Sequence, residues 1–345
     1  MSRMSTEPVR HALNGPTMGT RWSAVIHAEP GLDPESVRQA LAAAVAEVDA
    51  QMSTWTPDSD LMRLNRAPAG AWCEVPTRLM EVLSAGLDIG RASSGAFDIG
   101  MGDVVSAWGF SAETADPARI RALLGVSRRA AHELLELDPS NRRVRKHGPI
   151  ALDLCGIAKG YGVDRLAAVA ESFGIGSALV AIDGEVRAIG TRPDGQPWAV
   201  AVERPDPSAR AVYSVLALED AAVATSGDYR HWVDLGGQRL SHTMDPLRGA
   251  PLADSPASVT VVAPSCMLAD GWATALMVLG RAAGAERARA IGLSALFLDR
   301  AEGGLAATGM GPIFEPDEAA AGARAVRPGH DGKAHSPLTA TTASV

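Results

Sequence analysis

SVTVVAPSCMLADGWATALMVL, residues Ser258 to Leu279, joins two kinds of structure in one run. Ser258 to Ala263 is rich in β-branched residues and stops at Pro264, as a strand bounded by a breaker does. Cys266 to Leu279 then reads as a helix, and SALFLDR (Ser294 to Arg300) as a further strand. Upstream, Ser177 to Ile182, Trp198 to Val202 and Val212 to Leu218 are also β-rich. A helix is well marked from Asp33, which can cap it, with Pro34 suited to the first helical position. Val37, Leu41, Val45, Val48 and Met52 follow at helical spacing. Further helices are expected over Thr77–Ile89, from about Asp116-Pro117, and over Ala158–Phe173. Helices and strands mix without strict βαβ alternation, so an α+β fold is predicted over a doubly wound sheet. Residues 1–15 are polar and predicted to be flexible. Residues 315–345, poor in large apolar groups, are predicted to be a disordered tail.

Composition narrows the function. The chain has 345 residues with 32 basic and 40 acidic side chains, a net charge of −8. That disfavours nucleic-acid binding, which needs a clustered cationic face. The basic set comprises 29 Arg and only 3 Lys: Lys146, Lys159 and Lys333. Cys73, Cys155 and Cys266 are far apart and form no CxxC, so neither structural zinc nor a disulfide framework is expected. No apolar run approaches the ~18–20 residues of a membrane span. The first residues lack the apolar core of a signal peptide or a lipobox Cys, so a cytoplasmic location is expected.

GxGxxG, GxxxxGK[ST], HExxH and GxSxG in a strand–turn–helix setting are all missing. Five polar, mostly Gly-containing islands remain. SSGAFDIGMGDVVSAWGF (Ser93 to Phe110) is either a packed aromatic loop or a place where backbone approaches a ligand. DLCGIAKGYGVDRL (Asp153 to Leu166) is either a capped helix start or an anion site, with Lys159 as a point charge. ATSGDYRHW (Ala224 to Trp232) offers the hydroxyls of Thr225 and Ser226 and the donors of Arg230 and His231, or is simply a polar turn. SHTMDPLRG (Ser241 to Gly249) carries His242, a structural histidine or a base near neutral pH. In LADGWATAL (Leu268 to Leu276), Asp270 and Thr274 are four apart and share a helix face. That pair is an oxygen-rich corner suited to Mg²⁺, or an ordinary helix surface.

In this order, with MGT (Met18 to Thr20) and MSTWTPDSDLMRLNR (Met52 to Arg66) before them, the islands resemble the FAD:protein FMN transferases, the ApbE family. The resemblance runs from about Met18 to about Gly311. It implies one two-lobed α+β domain over residues 16–314, with FAD in the cleft between the lobes. It implies Mg²⁺-dependent transfer of FMN from FAD to a Thr or Ser hydroxyl of an acceptor protein, releasing AMP; Mn²⁺ is an alternative metal. By the resemblance, Met18, Trp55, Ala96, Phe97 and Asp98 would line the isoalloxazine and ribityl region. Asp153, Lys159, Thr225 and Met244 would belong to the rest of the FAD site. Asp270, Thr274 and the backbone carbonyl of Gly156 would hold the metal, and His242 would be the base. The implied acceptor carries an Asp-x-x-[Ser/Thr]-Gly-Ala-[Ser/Thr] type sequence.

Some positions depart from the family pattern. Trp55 stands where Tyr is frequent, Cys155 sits in the phosphate turn, and Asp183 occupies the first position of a Gly-Gly turn. Asp183 therefore has to tolerate positive φ. Bulky Trp272 follows Gly271 beside Asp270. Two other readings use the same residues: an FAD pyrophosphatase with water as acceptor, and a flavin-binding protein without turnover. A nicotinamide oxidoreductase is disfavoured because its dinucleotide fingerprint is missing.

Overall fold

The computed structural model describes residues 7–229, 232–235, 238–253 and 255–314. The expected tail, and the Arg230 and His231 donors, lie outside the described residues. The chain opens with strands β1 (Val9–Thr17) and β2 (Thr20–Ala28), then helices α1 (Pro34–Met52) and α2 (Asp60–Arg66). There follow β3 (Trp72–Glu74), α3 (Thr77–Ala92), α4 (Gly102–Ala107), α5 (Pro117–Leu123), α6 (Ala131–Leu134), β4 (Leu135–Asp138) and β5 (Arg143–Lys146). Next come α7 (Ala158–Ser172), β6 (Ser177–Ile182), β7 (Glu185–Ile189), β8 (Trp198–Glu203), β9 (Val212–Leu218) and β10 (Ala222–Gly227). The last group is β11 (Trp232–Leu235), β12 (Gln238–Ser241), β13 (Met244–Asp245), β14 (Ala250–Pro251), β15 (Ser258–Ala263), α8 (Cys266–Ala290), β16 (Ser294–Ala301) and β17 (Gly304–Met310).

Eight strands form one sheet in the order β1-β2-β6-β7-β10-β15-β16-β17. Every neighbouring pair in it is antiparallel, which rules out the doubly wound alternative and makes the fold α+β. Helices cover one face. Trp22, Ala24 and Ile26 of β2 point into a core with Val37, Leu41 and Val45 of α1 and Val163 and Leu166 of α7. Burying each large apolar side chain there contributes about 1.5–3 kcal/mol. The β8–β9 ribbon covers part of the other face, packing Trp198, Val202, Leu216 and Leu218 on Val223, Val262 and Leu298. All six residues of β15 are buried, as its unbroken apolar run suggests. Helices α2, α3 and α6 and the small sheet β3-β5-β4 share a core cluster with α7, α8 and β15, while α4 and α5 pack in a smaller cluster with Met244 and Ala250.

The helix starts follow the caps read from sequence. Asp33 accepts from the amides of Glu35 and Ser36, and Asp116 from those of Ala118 and Arg119. One expectation changes. The N-terminal flexible stretch was to reach residue 15, but β1 begins at Val9 and pairs in register from Val9↔Ala28 to Thr17↔Thr20. β1 is an edge strand, where polar residues and Pro16 are tolerated, so it lacks an apolar signature. The helix from Cys266 stops at Leu279 as expected: Gly280, with φ 70° and ψ 174°, breaks it, and a second helical stretch carries α8 on to Ala290. Among the described residues, no helix is long and apolar enough to cross a membrane.

Candidate active site

One cavity of about 2230 Å³ is bordered by all thirteen residues singled out above: Met18, Trp55, Ala96, Phe97, Asp98, Asp153, Gly156, Lys159, Thr225, His242, Met244, Asp270 and Thr274. They come from the β1–β2 turn, the loops after α1 and α3, the start of α7, β10, the β12–β13 region and α8.

Asp270 is the centre of the arrangement. It lies in the second turn of α8 and is 5% exposed. The Gly160 amide of α7 donates to its Oδ2 at 2.9 Å. Gly160 is required there, because a Cβ would stand 2.3 Å from the Cys266 carbonyl oxygen and 2.7 Å from the Asp270 Cβ. Burial pushes the Asp270 carboxyl up to about 7, and nearby Glu185 adds to the rise, against the pull of Lys159. One turn on, Thr274 Oγ1 lies 3.2 Å from the Ser226 hydroxyl of β10. Facing it is Gly156, where a Cβ would come within 3.2 Å of both Thr274 Oγ1 and Phe97 Cε2. Only glycine leaves that approach open.

Lys159, at the start of α7, is not a free cation. Its Nζ donates to Glu185 Oε1 at 2.7 Å and lies 3.8 Å from Asp183 Oδ2. Burial alone would lower the ammonium, but Glu185, Asp270 and Asp183 together hold it above its usual value. Glu185 is a site residue that the sequence reading missed. It opens β7, is 3% exposed and borders the cavity, and its Oε2 has no hydrogen-bond partner among the described residues. The available signal was a glutamate heading the apolar strand Glu-Val-Arg-Ala-Ile, immediately after the Asp183-Gly184 turn. Asp183 does take the positive φ its position demands, 54°.

The other acidic residues hold backbone. Asp98 Oδ1 accepts from the Gly100 amide at 2.8 Å and the Ala131 amide at 3.1 Å, fixing the turn after Phe97 to α6. Burial raises its carboxyl despite those bonds. Asp153 accepts from the Cys155 amide at 2.8 Å and so shapes the turn into α7; burial raises it too. Both border the cavity, yet both are already engaged.

The remaining residues make the walls. Trp55 is 61% exposed, a large aromatic surface open for stacking on a planar ring. Met18 holds φ at 46° in the β1–β2 turn, and its Cε lies 3.3 Å from the Cβ position of Gly162 on α7. Phe97 and Met244 are buried, and Ala96 is half-buried. Thr225 Oγ1 is 2.9 Å from Thr260 Oγ1. His242 is half-buried and meets Phe110 edge-on at 6.5 Å between ring centroids. Trp272 is buried in the shared core.

The donor set around Asp270 is hard: one carboxylate, one hydroxyl and the Gly156 backbone. No cluster of three or more His, Cys, Asp or Glu that could hold a metal occurs among the described residues. One carboxylate supplemented by neutral oxygens and substrate phosphate is the pattern of Mg²⁺-type sites, not of zinc.

An antiparallel sheet, a buried single-carboxylate corner at Asp270 and an adjacent Lys159 frame this cavity. A family model described as the ApbE family matches residues 18–297. The chain therefore belongs to the ApbE family and is an enzyme of the transferase class. It is 36% identical over 294 residues to an FAD:protein FMN transferase of Vibrio cholerae, covering 85% of this chain and 88% of the relative. It is 34% identical over 312 residues to one from Escherichia coli K12, covering 88% of each. The flavin transferase ApbE structure from V. cholerae superposes with TM-score 0.79 at 33% identity, covering 89% of this chain and 98% of the other. The apo flavinyl transferase ApbE of Pseudomonas stutzeri gives TM-score 0.77 at 33% identity, covering 90% and 96%.

Proposed function

We propose that this enzyme transfers FMN from FAD to a Thr or Ser hydroxyl of an acceptor protein and releases AMP, with Mg²⁺ as the metal. The observation that carries the reading is the buried Asp270 carboxylate beside Thr274 and Gly156, next to a lysine already balanced by acids. Asp270, Thr274 and the Gly156 carbonyl would hold the cation. When bound, it supplies positive charge to the substrate pyrophosphate and the departing phosphate.

The chain's own residues account for the rest. Lys159 carries a cation to the phosphate region, with Glu185 fixing its position. Trp55 and Met18 orient the flavin ring. His242 accepts the proton of the acceptor hydroxyl, a weak nucleophile until that proton leaves. The acceptor oxygen forms a bond to the FMN phosphorus, and the phosphorus–oxygen bond to AMP breaks. The acceptor is expected to carry an Asp-x-x-[Ser/Thr]-Gly-Ala-[Ser/Thr] type sequence.

The test is the intact mass of an acceptor domain bearing that sequence, incubated with the enzyme, FAD and Mg²⁺, with AMP followed alongside. A gain of one FMN unit with matching AMP, both stopped by EDTA, is the expected result. Free FMN and AMP with an unmodified acceptor would turn the assignment to a pyrophosphatase.

A further inference from the structure

The cavity is larger than its small-molecule task needs. Ligand pockets usually measure about 300–1,000 Å³; this one measures about 2230 Å³. Part of it lies away from Asp270, along the outward residues Ser23, Val25 and His27 of β2. From Thr20 to His27, β2 extends roughly 23 Å at ~3.3 Å per residue, so this arm reaches about a strand's length from the Met18 turn.

Its opposite wall is β8. All six residues of β8, Trp198 to Glu203, border the cavity. β8 pairs with β9 alone, so its second edge carries no strand among the described residues. An unpaired edge offers backbone donors and acceptors to any extended segment laid beside it. The two walls touch at one end, where Trp198 of β8 stacks on His27 of β2 with ring centroids 5.7 Å apart and planes at 24°.

The end of the arm is basic. Arg10 stands opposite His27 in the β1–β2 register, and Arg192 lines the same end. Burial lowers the His27 imidazole, and Arg10 and Arg192 lower it further. Arg192 pairs with Asp194 at 2.5 Å, but both side chains are more than 40% exposed. Such an exposed pair is weak, so an incoming carboxylate competes with it. On a chain of net charge −8, this end is a local exception.

Resting on the flavin-transfer reading, we propose that the acceptor protein binds this arm as an extended, acidic segment. It adds a strand to the free edge of β8 and sets its acidic side chain against Arg10 and Arg192.

The test uses the full-length enzyme with FAD, Mg²⁺ and a fluorescein-labelled peptide of the Asp-x-x-Thr-Gly-Ala-Thr type. It compares wild type with the double variant Arg10→Glu, Arg192→Glu, whose fold is checked by circular dichroism. The acceptor KM is expected to rise about tenfold or more on charge reversal, with the FAD KM unchanged. Peptides N-methylated at one backbone amide at a time should bind more weakly at every second position, as a strand ladder requires. A higher FAD KM with an unchanged acceptor KM would mean that the nucleotide occupies the arm and would overturn the proposal. Normal transfer by the variant, or N-methyl peptides that all bind like the parent, would overturn it as well. Wild type that modifies no acceptor would instead sink the flavin-transfer reading, and the proposal with it.

Discussion

Single residues carry the chemistry, and their predicted effects differ in kind. Asp270→Ala should lower metal-dependent turnover at least about a hundredfold, the scale of losing one electrostatic stabiliser. Calorimetric titration with Mg²⁺ should lose its binding signal while the far-UV spectrum stays intact. Asp98 behaves differently. Its carboxyl is raised by burial, so its contribution to stability is present below the unfolded value and is lost as pH rises through the folded one. Asp98→Asn keeps an oxygen for the Gly100 and Ala131 amides but removes the buried charge. The variant should therefore gain stability over wild type as pH goes from acid to neutral, measured by denaturant unfolding at both. The caps Asp33 and Asp116 were legible in sequence because cap relations are local, and i,i+4 spacing put Asp270 and Thr274 on one helix face. Glu185 was not: its meaning comes from Lys159 on another element and Asp270 on a third. Sequence spacing does not encode such a meeting.

At the scale of elements, the site depends on how α7 meets α8. Asp164 on α7 accepts from the Cys266 and Met267 amides at the start of α8, both at 2.9 Å, and pairs with Arg187 of β7 at 2.6 Å. Asp164→Ala should cost about 1–2 kcal/mol from the lost cap. It should also weaken Mg²⁺ binding, since it frees the helix that carries Asp270. Urea unfolding and a metal titration on the same sample check both. Gly160→Ala attacks the same junction from within, because the new Cβ would collide with the Cys266 carbonyl. Overpacking of this kind costs about 1–3 kcal/mol, and a denaturant midpoint lower than wild type by a matching amount is expected. Helices α1 and α5 were readable from their caps, and α1 and α3 from their apolar periods. β1 was not, because an edge strand need not alternate, and the short strands β3 to β5 are held by one another more than by their composition.

For the whole molecule, the residues around the cavity span Arg10 to Thr274, so binding there reports on global folding. A ligand present at a hundred times its Kd adds about 2.7 kcal/mol of stability. The melting temperature should rise with Mg²⁺ and FAD in wild type, and Asp270→Ala should abolish the Mg²⁺-dependent part. Scanning fluorimetry over a metal series measures this. The fold class was legible because strands and helices failed to alternate. The strand order was not, because β2 and β6 meet across the entire segment 29–176.

That pairing has a consequence for how the chain is made. The β1–β2 hairpin leaves the ribosome early, with the edge of β2 that belongs to β6 still bare. At ~5–20 residues per second, its partner follows on the order of ten seconds later. Until then the nascent chain exposes an unpaired edge and the apolar face of Trp22 and Ile26. Yield of active enzyme in cells is therefore expected to vary with translation speed and with chaperones that shield the waiting hairpin.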